Sequence, residues 1–184
     1  MKKSALIRIM AIAFMGILFS SHSWAQQDDK SKRPSPPATA KGKIKDATIT
    51  IDYSSPSVKG RKIFGGLVPY NQVWRAGANE ATLFSTDKDI EVEGKKLAAG
   101  KYSLFMKPGE KEWVIYFNSE TGQWGDKEGG AANMDPAKTV LEVTVKPNEE
   151  LRVQEKLVYA ISDKPMDKGF ELRWDKLRVH ASIK

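Results

Sequence analysis

The chain of 184 residues has no cysteine. Disulfide staples, thiol nucleophiles, redox pairs and cysteine–zinc sites are therefore excluded, and the fold must be held together by its core. Histidine is nearly as scarce, with His22 and His180 alone, so a zinc centre built on several imidazoles has too few ligands. A serine–histidine hydrolase would have to run through His180. Long apolar runs are missing as well. The stretch "IMAIAFMGILFS" at residues 9–20 is about a dozen residues, short of the roughly 20 that span a bilayer.

What is present at the N-terminus suits export. Lys2, Lys3 and Arg8 precede the apolar run, and "SHSWA" follows it, placing Ser23 and Ala25 at the small-residue positions before a cleavage point. Residues 1–25 read as a signal peptide, and the mature protein as periplasmic or secreted, with no membrane span after cleavage. Cleavage leaves 159 residues, enough for one domain with a single core, and lowers the formal net charge from +7 to +4. Lysines interleaved with acids, as in "DKSKR" and "GEKE", describe a solvated surface, so no nucleic-acid partner is expected. Residues 26–42, "QQDDKSKRPSPPATAKG", carry no large apolar side chain and read as a disordered linker. Residues 43–184 read as one domain.

From Ile44 onward the period is two. In "ATITIDY", Ala47, Ile49, Ile51 and Tyr53 alternate with polar residues, as in a half-buried strand. "DIEVEGKKL" predicts a hairpin turning at Glu93-Gly94. "KYSLFMKPGEKEWVIYF" predicts a longer one with Pro108-Gly109 in its connection. In "GFELRWDKLRVHASI", Phe170, Leu172 and Trp174 alternate on even positions, then Leu177, Val179, Ala181 and Ile183 on odd ones. A strand cannot change parity without a bulge or turn, which places one at Asp175-Lys176. No window has a helical stripe of useful length. Nine or ten short strands predict an all-β, antiparallel two-sheet sandwich, with a closed barrel as the alternative. One long loop, residues 119–138, holds four glycines and the solitary Trp124. Loops of that length in compact domains are commonly functional or disordered.

The stretch "VWRAGANEATLF" at residues 73–84 fits neither face of a regular strand. A kink near Gly77 would re-aim Arg75 and Asn79, and Asn79 tolerates left-handed backbone. On a structural reading Arg75 pairs with Glu80 or Asp52, since a buried arginine needs a partner. On a functional reading its fork meets a carboxylate, phosphate or sugar, flanked by Asn79 and Trp74. Upstream, Lys59, Arg61 and Lys62 surround Gly60, which suits a weak anion concavity but lacks the phosphate-loop spacing. Ile63, Phe64, Leu67 and Val68 then form an apolar plug. The acids of "TDKDIEVEG" do not reproduce a calcium loop, and neither a metal nor a cofactor is expected.

The runs "PSVKGRKIFGGLVPYNQVWRAGANEAT", "GKKLAAGKYSLFMKPGEKEWVIYFN" and "QWG" resemble the bacterial domain-of-unknown-function family numbered 2911, over nearly the whole mature domain. Asn71 stands where that family's "VPYG" stretch would have glycine. The resemblance implies an exported, mostly-β protein and supplies no catalytic residues.

These readings converge on a non-catalytic domain that binds a small polar ligand or glycan. The candidate residues are Arg61, Lys62, Trp74, Arg75, Asn79, Glu80 and Trp124, with the tryptophans offering stacking surfaces. Two alternatives stand beside it. One is a hydrolase using Glu80 or an aspartate as general acid or base; the other is an envelope component that meets an unidentified protein partner.

Overall fold

The alternating segments become ten strands in the computed structural model, which describes residues 29–184. The signal-peptide reading of residues 1–25, and residues 26–28 of the expected linker, lie outside the described residues. Among the described residues there is no α-helix, only two short 3-10 turns at Lys30–Lys32 and Pro136–Lys138.

Six strands form an antiparallel sheet: β1 (Pro37–Ile44), β2 (Ala47–Ser54), β3 (Thr82–Thr86), β6 (Gly100–Pro108), β7 (Trp113–Asn118) and β8 (Thr139–Val145), in the order β1-β2-β3-β6-β7-β8. One face is apolar because every second residue is. Ile49, Ile51, Phe84, Leu104, Met106, Trp113, Ile115 and Phe117 have essentially no exposure. β4 (Ile90–Val92) and β5 (Lys95–Leu97) make the small expected hairpin. Glu93 and Gly94 both take positive φ at its turn, the geometry that matches strand twist in a two-residue loop.

The linker expectation is corrected at its C-terminal end. Pro37–Gly42 lie in β1, paired residue for residue with β2. Its short side chains are the physical reason: a sheet edge needs backbone pairing, not large apolar groups, and Gly42 lies where a Cβ would come within 2.8 Å of Ile161.

β9 (Pro147–Ser162) and β10 (Gly169–Ser182) pair as a ribbon that covers the apolar face. β10 doubles back on itself at Asp175, which has φ +54°. A straight strand, at about 3.3 Å per residue, would hold Glu171 and Arg178 about 23 Å apart, yet their side chains are 2.5 Å apart. Ile183 N–H also donates to the Lys168 carbonyl at 3.2 Å. The parity change in the sequence is thus a turn between two arms, each with its own apolar set facing the core. β9 runs around the outside of this bend. Nine residue steps from Glu149 to Val158 accompany only four from Arg173 to Leu177, and the surplus is taken up in bulges.

Leu157, Tyr159, Phe170, Leu172, Trp174, Val179 and Ala181 of the ribbon, and Ile183 just after it, meet the large sheet. At one end of this core Phe64, Trp74, Trp113 and Trp174 pack together. Trp74 stacks on Trp174 with ring centres 6.0 Å apart, and Phe64 meets all three indoles edge-on. The fold is a sandwich-like all-β arrangement, and its sheets do not close into a barrel.

Candidate functional site

The segment before β3 begins as a strand and then leaves the sheet. Trp74 exchanges two backbone hydrogen bonds with Met106 of β6, at 2.7 and 2.8 Å. The break follows immediately, with Ala76 at φ +55° and Asn79 at φ +60°. The sequence reading placed the kink near Gly77. The structure puts the left-handed residues on either side of it. Gly77 is needed for a different reason, since a Cβ there would lie 2.8 Å from Thr82 Oγ1 and 3.2 Å from the Ser54 carbonyl. The bend is held from outside. The Ala76 carbonyl accepts from Thr82 Oγ1 at 3.0 Å and from Tyr159 Oη at 2.8 Å. Burial pushes the Tyr159 phenol well above its usual range, which keeps it a neutral donor.

The 119–138 loop is bound along this bend by backbone hydrogen bonds. Ala81 N–H donates to the Gln123 carbonyl at 3.1 Å, and Gly125 N–H to the Asn79 carbonyl at 2.9 Å. The loop can come this close because residue 125 is glycine. A Cβ would collide with Arg75 Cδ and lie 2.8 Å from the Asn79 carbonyl oxygen. The next residue, Asp126, then forms an ion pair with Arg75. This corrects the expected partner. Arg75 pairs with neither Glu80 nor Asp52, and Asp52 instead accepts from Thr39 Oγ1 at 2.6 Å. Burial lowers the Arg75 pKa from the ordinary arginine value, the sign of a cation partly stripped of water.

Glu80 has its own partners, supplied by the segment expected to be disordered. Lys30 Nζ lies 2.8 Å from its carboxylate, and Arg33 donates to both oxygens at 3.0 and 3.1 Å. Burial alone would raise the Glu80 pKa. Hydrogen bonds from Lys30, from its own backbone and from Arg33 outweigh that and hold it at about 2. Asn79 Nδ2 donates to the Ser35 carbonyl at 2.9 Å, and the Arg33 guanidinium sits 5.8 Å from the centre of the Trp124 ring. Residues 30–35 therefore dock on the corner made by Asn79, Glu80 and Trp124.

On the other side of the bend lies a cleft of about 300 Å³, bordered by Arg61, Trp74, Arg75, Asp126 and Trp174. Of the residues singled out from sequence, Arg61, Trp74 and Arg75 line it together. Asn79, Glu80 and Trp124 belong to the neighbouring corner, and Lys62 lies outside both. Arg61 is oriented by the turn before it, donating to the Val58 carbonyl at 3.1 Å and the Ser57 carbonyl at 2.5 Å. Trp74 is 8% exposed and stacked on Trp174, so most of its ring area serves the core. Trp124, 52% exposed, keeps more of its ring accessible.

Two residues that line the cleft carry a buried nitrogen without a partner, as Trp113 and His180 do away from it, at Nε1 and Nε2. Arg75 Nε and Trp174 Nε1 are buried without an acceptor among the protein's atoms. Buried N–H groups are almost always paired, so an acceptor is called for at both. Asp126 and Trp174 were not singled out from the sequence. Asp126 stood in the long loop already marked as unusual, whereas Trp174 sat in a clean apolar alternation that signals only core. Among the described residues no cluster of carboxylates and imidazoles is arranged to hold a metal ion.

The family model described as a protein of unknown function, DUF2911, matches residues 35–183 of the chain. No curated protein and no solved structure matches it.

Proposed function

Because the chain belongs to the DUF2911 family, whose description names no activity, we propose its function from the cleft: the protein binds a small polar ligand or glycan unit there and does not transform it. One observation carries this reading. Two buried N–H groups without acceptors, on Arg75 and Trp174, belong to residues lining the same cleft of about 300 Å³. A volume at the lower end of ligand-sized clefts, an aromatic wall and a few convergent polar groups are what such binding requires. The signal-like pattern of residues 1–25 goes with a site working outside the cytoplasm.

The hydrolase alternative is weaker on the same geometry. A general acid needs a pKa near the working pH, and Glu80, held at about 2 by Lys30 and Arg33, stays ionised. Asp126 is committed to Arg75.

A thermal-shift screen of glycans and small metabolites tests the binding reading. A ligand at about 100 times its Kd stabilises the folded state by about 2.7 kcal/mol. The shift should vanish in Arg75→Ala and shrink in Trp174→Phe, which keeps an aromatic ring but loses the N–H. No shift with any compound, or the same shift in both variants, removes this reading.

A further inference from the structure

The cleft carries two guanidinium groups, Arg61 and Arg75, against a single carboxylate, Asp126. Its charged side chains are thus weighted towards the positive, and two of its lining residues carry a buried N–H without an acceptor. The one acceptor of full charge is borne by a small flap. Asp126 bridges Ala132, Lys127 N–H donates to the Ala131 carbonyl at 2.7 Å, and Gly130 N–H to the Lys127 carbonyl at 3.0 Å. Gly129 and Gly130 turn the flap at φ +93° and +85°, and a side chain on either would meet open space. The flap reaches the cleft through Asp126 and Gly130 and is joined to the body by the Arg75–Asp126 ion pair.

We infer that the ligand of this cleft carries a carboxylate, as a sugar acid does, and that Asp126 occupies that carboxylate's place on Arg75 until the ligand arrives. This inference rests on the binding function proposed above. Binding then exchanges one carboxylate for another and releases the 126–132 flap. The exchange is favoured by geometry. Guanidinium presents donors along two edges suited to a bidentate carboxylate. Asp126, tied to its own backbone, hydrogen-bonds to Nη1 of Arg75 and leaves Nε unbonded. A free carboxylate has no such constraint and can take the Nε–H as well. Once Asp126 withdraws, Arg61 and Arg75 face the ligand with two positive charges, which a neutral sugar cannot exploit. A buried arginine also loses much when left unpaired, so the flap stays latched until a replacement anion is in reach.

The test is an NMR titration of the folded protein with glucuronate, glucose and inorganic phosphate. It follows the amides of Gly125–Ala132 and the Trp174 indole N–H, in the wild type and in Asp126→Asn. Glucuronate is expected to shift both sets of signals and to speed hydrogen exchange at residues 127–131. Glucose should bind at least about tenfold more weakly, and Asp126→Asn should bind glucuronate about tenfold more tightly because the internal competitor is gone. The inference is overturned if glucuronate shifts nothing, if phosphate is preferred, or if Asp126→Asn gains no affinity while melting like the wild type. Glucose bound as tightly as glucuronate, and lost in Arg75→Ala, would sink the carboxylate exchange while leaving the binding site intact. A screen in which no compound binds would sink the site itself.

Discussion

Glu171 Oε2 accepts a hydrogen bond from Arg178 Nε at 2.5 Å, although the two residues lie seven apart on one strand. The same carboxylate takes Arg173 on its other oxygen at 2.6 Å, so one acid on the first arm of β10 is held between an arginine of its own arm and one from the second. With a side-chain exposure of 12%, Glu171 is a carboxylate that cannot do without these cations.

Glu171→Gln should therefore destabilise the fold by about 1.5 kcal/mol, the order of one lost hydrogen bond to a charged group, because Arg178 keeps its ion pair with Asp167 and Arg173 is open to solvent. Urea unfolding measures this directly. A midpoint equal to the wild type's would mean that the doubled strand is held by its backbone and apolar faces alone.

Asp175 makes the turn between those arms at φ +54°. Asp175→Gly should be neutral or stabilising by up to about 1 kcal/mol, whereas the β-branched Asp175→Val should cost about 2 kcal/mol. Melting temperatures of the pair decide it, and the reverse order would refute the strained turn.

Gly125→Ala should cost about 2 kcal/mol, because the new methyl meets Arg75 Cδ and the Asn79 carbonyl and must push the loop off the bend. Binding of glucuronate at the cleft should rise with it, as in Asp126→Asn, since a loop pushed off the bend carries the competing Asp126 carboxylate away from Arg75. Gly122→Ala serves as the control. Unlike Gly125 it has positive φ, but a Cβ there meets nothing, so its strain leaves Arg75 in place.

Acid should undo the docking of residues 30–35. The folded-state pKa of Glu80, about 2, lies below its ordinary value of 4.5. A depressed carboxylate contributes stability that is fully present above 4.5 and is lost as the pH falls towards 2. The wild type should therefore be more stable than Glu80→Gln at neutral pH, and the difference should close over that interval. Trp124 fluorescence would report the departure of Arg33 in the same range. A stability gap that stays constant down to pH 2 would contradict the assignment. The Lys30 pair, with a side chain 56% exposed, should contribute little and fade in salt.

Much of this fold was legible because a half-buried strand writes its faces into the sequence every second residue. The even-to-odd switch across Asp175 located a turn to within a residue, and Glu93-Gly94 located the β4-β5 hairpin. The parts that stayed hidden are those in which one short segment meets another far away. Nothing near Arg75 says that its counter-ion is Asp126, 51 residues on, rather than the closer Glu80. Periodicity fixes which way a side chain points and leaves its distant partner open. Residues 30–35 were misread for a related reason. Their composition lacks apolar anchors, and what orders them is a charge, Glu80, that lies outside the segment. Trp174 illustrates the converse, an indole placed correctly in the core whose N–H turned out to have no acceptor.

The bend of the ribbon also has a practical consequence. Between the pairs Glu149–Leu177 and Gln154–Asp175, four residues of β9 oppose one of β10, and Leu151 in that surplus is fully exposed. Chain length there is already uncoupled from the ladder. A fluorophore-bearing peptide or an immobilisation tag grafted between Leu151 and Arg152 would lengthen a detour without shifting either arm, since each doubling of a flexible loop costs only about 0.6 kcal/mol. The protein can thus be displayed on a sensor surface by its outer curve.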